Sequence, residues 1–312
     1  MSKKSVKVFA PATVANIACG FDVLGFAVGE PGDVVKATLS DEPGVRIVNM
    51  TGDDGVLTSN PERNAATVGV IKLLQDQVFE QGVEIELHKQ MPLGSGLGSS
   101  AASAAGGVFA ANILLGNPLS RRELVRYAME GERVACGSAH ADNVAPALIG
   151  GFVAVRSYDP LDVIRIPTDL SLTCLLIKPH VEVMTEEARL ALGYEISLEQ
   201  HVVQTGNLSG LLVGLMNNDV DLIKRCLVDV IAEPKRSRWI PRYDEMKDLL
   251  NSNGAIGCCI SGSGPSLFAL FSNEEEAKYT KDKLTHFDAD FYLTQVNKGG
   301  VSVIEESIDE IL

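Results

Sequence analysis

The sequence of 312 residues predicts an α+β protein. Three observations carry that prediction. Short β-like alternation occurs at residues 5–9 (SVKVF) and again at Val83, Ile85 and Leu87. Ala65, Val68, Ile71, Leu74 and Val78 recur at the three-and-four spacing of a helix with one apolar face. Segments of both kinds then mix along the chain without the strand–helix–strand rhythm of a doubly wound parallel sheet. At about 150 residues per domain, the length suggests roughly two domains and a sizeable core. The seam is expected around Ile166–Leu170, giving units 1–167 and 168–312.

In chain order, Pro11 ends the first strand pattern and opens an irregular stretch, ATVANIACGFD. Strand-like runs follow at Val34–Leu39 and Val45–Val48. Pro61-Glu62 opens the helical pattern, and Gly82 closes it ahead of the strand at 83–87. A glycine-rich loop from Met91 to Gly98 then feeds Ser99–Leu115, small and apolar almost all round, the pattern of a buried helix. Leu119–Arg133 is a further helix, with Ser120 as N-cap and Glu123 completing a capping box. Beyond Gly150-Gly151 come strands at FVAVRS, Val163–Ile166 and Leu172–Ile177. Helices are expected over Thr185–Leu192, Leu198–Met216, Val220–Ala232 and Tyr243–Asn251. Leu267–Phe271 is a strand, Glu274–Leu284 a helix, and Phe291–Val296 a final strand.

Charge and cysteine usage narrow the function. Lys plus Arg number 27 against 41 Asp plus Glu, a net charge of −14. Nucleic acid or an anionic membrane surface would need clustered cations, so neither is an expected partner. Any phosphate must therefore be held by backbone amides and a metal rather than by surface charge. The six cysteines show no CxxC spacing and read as reduced, packed residues. With no signal-peptide core and no apolar run of about 18 residues, a cytoplasmic enzyme or binding protein is expected.

The densest signal is Pro92-Leu93-Gly94-Ser95-Gly96-Leu97-Gly98-Ser99-Ser100-Ala101-Ala102. Three alternating glycines let the backbone approach a ligand closely, and Ser99 and Ser100 begin a helix whose free amides and dipole favour an anion. The loop is not a Walker A motif, because no lysine follows in Gly-Lys-Ser/Thr form. Nor is it a dinucleotide fingerprint, because Ser99 stands where GxGxxG needs glycine.

This segment resembles the second motif of the GHMP kinase superfamily. APATVANIACGFDVLGFAV (10–28) is similar to that family's amino-terminal motif, and GCCISGSGPSLFAL (257–270) to its carboxyl-terminal glycine loop. The first motif's Pro11-Ala12-Thr13-x-x-Asn16-x-x-x-Gly20-Phe21-Asp22 resembles the homoserine kinase branch in particular. GERVACGSAHADNVAPALIGG (131–151) and DVIAEPKR (229–236) do so too. The resemblance implies a two-domain α+β fold with the active site between the domains. It also implies ATP-dependent phosphorylation of the side-chain hydroxyl of L-homoserine in threonine biosynthesis.

By that resemblance the loop 92–102 binds ATP, and Ser100 and Glu132 are ligands of Mg²⁺. Taken alone, Glu132 reads as a solvated carboxylate at a helix end. Arg189 and Arg236 match the family's carboxylate-binding arginines, although a lone arginine in so acidic a chain is ordinarily a surface ion pair. Asp22 would hold the substrate ammonium, Asn16 and Asn143 the reacting hydroxyl, and His140 would line the same pocket. Asn143 cannot take a proton, so catalysis by positioning and charge stabilisation is expected, with Asp142 or His140 as the rival base. SGSGPS (261–266) supports the active site or is a tight turn. Asn64 and Lys89 are the adenine candidates, or are structural. A homodimer is compatible with the resemblance. The competing functions are a kinase on the same fold with a mevalonate-like acceptor and a catalytically inactive sensor.

Overall fold

The computed structural model describes residues 4–193 and 195–307, apart from the side chains of Thr185 and Glu186. In the first half the chain runs β1 (Ser5–Ala15), β2 (Leu24–Ser40), β3 (Val45–Thr51), α1 (Ala65–Asp76) and β4 (Gly82–His88). It continues through α2 (Ser99–Leu114), α3 (Arg121–Cys136), α4 (Ala141–Ile149), β5 (Phe152–Tyr158) and β6 (Leu161–Ile166). The second half holds β7 (Thr173–Pro179), α5 (Thr185–Leu190), α6 (Leu198–Asn217), α7 (Val220–Cys226) and α8 (Glu233–Arg236). Then come α9 (Tyr243–Ser252), β8 (Gly257–Ile260), β9 (Leu267–Phe271), α10 (Glu274–Leu284), β10 (Ala289–Gln295) and β11 (Ser302–Ser307).

Two sheets organise these elements. The first has the order β11-β1-β2-β4-β3, with β5 and β6 joined through β2, and only the β3–β4 pairing is parallel. The second, β10-β7-β9-β8, is antiparallel throughout. Such pairing is what an α+β fold requires and a doubly wound fold does not. The last strand returns to the first sheet, pairing with β1 along Ser5–Phe9.

Helix α2 is the pivot of the first half. It packs on β1 and β2 and is flanked by α1, α3 and α4. Its small residues make this approach possible. At Gly107 an added Cβ would overlap the Ala66 carbonyl, and at Gly106 it would press on Val35 and Ala10. Every residue of α2 except Ser100 is buried. That leaves the helix start as the part able to meet a ligand.

Several elements depart from the sequence expectations. β1 does not stop at Pro11 but runs to Ala15, because a register shift between Pro11 and Thr13 accommodates the missing proline N–H. The helix expected over Val220–Ala232 ends at Cys226. Beyond it, the Asp229 carboxylate accepts from the amides of Ile231, Ala232 and Glu233 at 2.8, 3.0 and 2.9 Å, competing with helical bonding. Helices α4 and α8 were not expected; α4 carries Pro146 within it and α8 is a single turn. β8 and β11 were likewise not foreseen, so Phe291–Val296 is not the final strand. Ser120 and Glu123 do form the capping box at the start of α3. Among the described residues, no helix is long and apolar enough to cross a membrane.

Candidate active site

Three glycine-bearing segments converge on the start of α2. Gly94, Gly96 and Gly98 all adopt positive φ, at 62°, 76° and 68°, so each uses a conformation that side chains disfavour. Gly96 lies against the third motif. An added Cβ there would stand 2.7 Å from the carbonyls of Ser261 and Gly264, and Ser261 Oγ donates to Gly96 O at 2.7 Å. The Thr13 amide donates to Leu97 O at 3.0 Å, and the Gly262 amide to Ala15 O at 3.2 Å. The first motif, the glycine loop at 94–98 and the third motif are thus one hydrogen-bonded unit.

The first motif carries strain. Asn16, Ile17 and Ala18 take φ of 73°, 41° and 58° in succession, and Asp22 takes 58°. A β-branched residue in this region is unusual, and left-handed non-glycine residues cost about 1–3 kcal/mol each. Buried contacts hold the turn: Asn16 Nδ2 donates to Gly262 O at 2.8 Å, and Asn16 Oδ1 accepts from the Asp22 amide at 3.0 Å. Asp22 is thereby aimed at Arg189, whose Nη1 and Nη2 both reach its carboxylate at 3.0 Å. Arg189 Nη2 also donates to His140 Nε2 at 2.9 Å, which fixes a neutral imidazole, and burial pulls the His140 pKa down.

Arg236 is buried, with Nη1 on Gly262 O at 2.9 Å and Nε on Ala188 O at 3.2 Å. It therefore braces the third motif and α5. Arg189 and Arg236 both lie over the Phe21 ring, at 5.6 and 5.4 Å. The nearby Arg238 and Arg242 turn instead to Trp239 and Phe287.

A second cluster lies where α3 and α4 meet the start of α2. Glu132 is buried beside Ser100, whose hydroxyl bonds to it, and burial raises its pKa to about 7. Asp142 is also buried and pushed up to about 7, by burial first and then by Asp22 and Glu132. Ser99 Oγ, Glu132 Oε1 and Asp142 Oδ1 are buried without a hydrogen-bond partner among the described residues. Buried orphan oxygens of this kind are rare unless a ligand or ion completes them. Asn143, next in sequence, accepts from Thr13 Oγ1 at 2.7 Å.

The models of the GHMP kinases N terminal domain and GHMP kinases C terminal match residues 65–151 and 211–289. The homoserine kinase of Chlorobium phaeobacteroides (strain BS1) is 49% identical over 96% of this chain and 100% of its own. That of Methanococcus vannielii is 38% identical, covering 95% and 97%. A crystal structure of homoserine kinase from Cytophaga hutchinsonii matches with a TM-score of 0.91 and 54% identity, over 96% of this chain and 97% of that one. The chain belongs to the homoserine kinase family of GHMP kinases. The mevalonate kinase of L. major, solved with R-mevalonate, matches with a TM-score of 0.73 at 14% identity and shares the fold.

Within this homoserine kinase fold, residues distant in sequence come together. Asn16, Asp22, His140 and Arg189 form one connected group, and Ser100 and Glu132 another. The two adenine candidates, Asn64 and Lys89, both have local partners. Lys89 is buried with its ammonium on Asp33, Ser99 O and Ser103 Oγ, so its side chain secures the loop from behind. Asn64 caps α1, accepting from Ala66 N at 3.0 Å and donating to Thr58 O at 2.8 Å.

Sequence reasoning missed Tyr158, whose hydroxyl donates to Asp22 O at 3.0 Å and accepts from Ala141 N at 3.3 Å, its ring edge-on to His140. Nothing around it in the sequence marks it; only the β5–α4 juxtaposition does. Thr13 lies inside the first motif, where residue type alone gives it no role.

Proposed function

We propose that this chain transfers the γ-phosphoryl group of ATP to the side-chain hydroxyl of L-homoserine, giving O-phospho-L-homoserine and ADP on the route to threonine. One observation carries the substrate choice: the Asp22–Arg189 pair, an anion and a cation side by side at 3.0 Å. A zwitterionic amino acid can replace that pairing end for end, its ammonium on Asp22 and its carboxylate on Arg189 and Arg236. An acceptor without an ammonium, such as mevalonate, would leave Asp22 unsatisfied.

Amides of residues 94–100 and the dipole of α2 would cradle the triphosphate, with Ser99 Oγ as a further donor. The orphaned Glu132 Oε1 and the Ser100 hydroxyl suit a small hard cation, and these two residues would hold Mg²⁺. When bound, such an ion neutralises charge on the triphosphate. Asn16 and Asn143 would hold the acceptor hydroxyl in line with the γ-phosphorus, and His140 and Tyr158 would close the pocket's side. The hydroxyl oxygen forms the new P–O bond, the bond to the β-phosphate oxygen breaks, and the hydroxyl proton passes to an oxygen of the transferred phosphoryl group. Asn143 takes no part in proton transfer, since an amide nitrogen or oxygen is no base at neutral pH. The reaction draws on both units of the chain, 1–167 and 168–312, because Arg189, Arg236 and the third motif belong to the second.

A coupled assay of ADP release with homoserine, mevalonate, shikimate and galactose tests the substrate. Homoserine is expected to exceed the others in kcat/KM by at least about 10³, since charged and hydrogen-bonded groups discriminate strongly. Comparable turnover with mevalonate would overturn the assignment.

A further inference from the structure

Thr13 is fully buried on β1, and the proposed chemistry leaves it without a task. Three contacts tie it to groups that do have one. Its amide donates to Leu97 O at 3.0 Å, inside the phosphate loop. Its hydroxyl donates to Asn143 Oδ1 at 2.7 Å, across 130 residues of sequence. Its Oγ1 also occupies the space that a Cβ on Gly98 would fill, with Asn143 Oδ1 3.0 Å from the same point. Phosphate loop, Thr13 and Asn143 therefore pack as one contiguous unit, just past the register shift between Pro11 and Thr13.

The chemistry of the contact is directional. A threonine hydroxyl buried without an acceptor costs about 1–3 kcal/mol, so its proton is given to the amide oxygen. That choice fixes which end of the Asn143 amide is which. Oδ1 is turned back to Thr13, and Nδ2, a donor only, is left for the partly exposed side of Asn143. We infer that Thr13 is a positioning residue that locks the Asn143 amide with its N–H₂ toward the acceptor hydroxyl, while pinning the phosphate loop at Leu97. So oriented, Asn143 holds the hydroxyl oxygen through a lone pair and leaves the hydroxyl proton free to leave toward the phosphoryl group. With the amide reversed, Oδ1 would accept that proton as a hydrogen bond and hold it away from the phosphate.

The inference rests on the proposed phosphorylation of homoserine, and a double-mutant cycle separates the two. Wild-type turnover of homoserine reports on the reaction. Thr13→Val, Thr13→Ser, Asn143→Ala and the double variant Thr13→Val/Asn143→Ala report on the lock, with kcat and both KM values measured and melting temperatures checked. Thr13→Val is expected to lower kcat by about tenfold to a hundredfold, the scale of a misplaced reacting group. KM for ATP should stay within about twofold and Thr13→Ser within about threefold of wild type. In the Asn143→Ala background, Thr13→Val should change kcat little, because the group it orients is gone. Multiplicative losses in the double variant would overturn the inference, as would a Thr13→Val effect confined to KM for ATP. Should Thr13→Val not fold, Thr13→Ala runs the same cycle with the same two outcomes.

Discussion

Glu132 and Asp142 are carboxyl groups held out of water, each with one oxygen facing no partner among the described residues. Burial raises both to about 7 from ordinary values of 4.5 and 3.8. For a carboxyl whose folded-state pKa is raised, the stability contribution is fully present below the unfolded value and is lost as pH climbs through the folded one. The metal-free protein should therefore lose stability relative to Glu132→Gln and Asp142→Asn variants between about pH 4 and pH 7.5. By pH 8 each variant should be more stable than wild type by about 1–3 kcal/mol. Thermal melts across that range read the difference; parallel curves at all pH values would refute it. Mg²⁺ with a nucleotide should stabilise wild type more at pH 8 than at pH 6, and Glu132→Gln should lose that gain. Asp142→Asn also bears on the proton: turnover within about threefold of wild type fits transfer to the phosphate, whereas a loss of 10² or more would make Asp142 the base. At this scale the sequence was informative about residue type and poor about direction. Arg189, Asp22 and His140, far apart in sequence, are in mutual contact, and Lys89 follows the end of β4 and turns inward to Asp33. No spacing in a sequence reveals the direction in which a single side chain turns.

Among elements, glycines separate into those that serve packing and those that serve the loop. Gly107 sits mid-helix where α2 meets α1, and a Cβ there would overlap the Ala66 carbonyl. Gly96 is left-handed, with the third motif's carbonyls 2.7 Å from where a Cβ would stand. Gly107→Ala should lower stability by about 1–3 kcal/mol through overpacking while leaving KM for ATP near wild type. Gly96→Ala should do the reverse in emphasis, lowering kcat/KM for ATP by about tenfold or more as the loop shifts off its amide geometry. Denaturation curves beside steady-state kinetics distinguish the two; matching profiles would mean the loop and the helix are not separable units. Elements with local signals were legible: the capping box of α3, the buried helix α2 and the alternation of β4 stand where expected. The region after α7 was not, because Asp229 bonds three amides of its own loop, and that competition outweighs a run of apolar residues that otherwise reads as helix.

For the whole molecule, the least legible feature is the return of the chain end to its beginning. β11 pairs with Ser5–Phe9 of β1, a contact between residues about 300 apart that no local pattern encodes. All six of its residues are exposed, so it contributes backbone pairing and little apolar burial. The segment just before it is different: Val301 is fully buried and its amide donates to Ala147 O at 2.7 Å, while Arg121 Nη1 donates to Gly299 O at 2.6 Å. A chain ending at Val301 keeps those anchors and lacks only residues 302–312, the edge strand among them. Its loss of stability should then be small, about 1–3 kcal/mol, or a melting-temperature drop of a few degrees for a protein of this size. The larger effect should be on association, because β1 would become an edge with unpaired backbone groups, guarded by the single charge of Lys7 within the strand. The apparent mass from light scattering should rise more steeply with protein concentration in the truncated chain than in the full one. Turnover per folded molecule should stay within about twofold, since β11 pairs only as far as Phe9 and leaves Thr13 untouched. A truncated protein that associates no more than the full chain yet loses activity would show instead that β11 tensions the whole of β1, and through it the contact of Thr13 with Asn143.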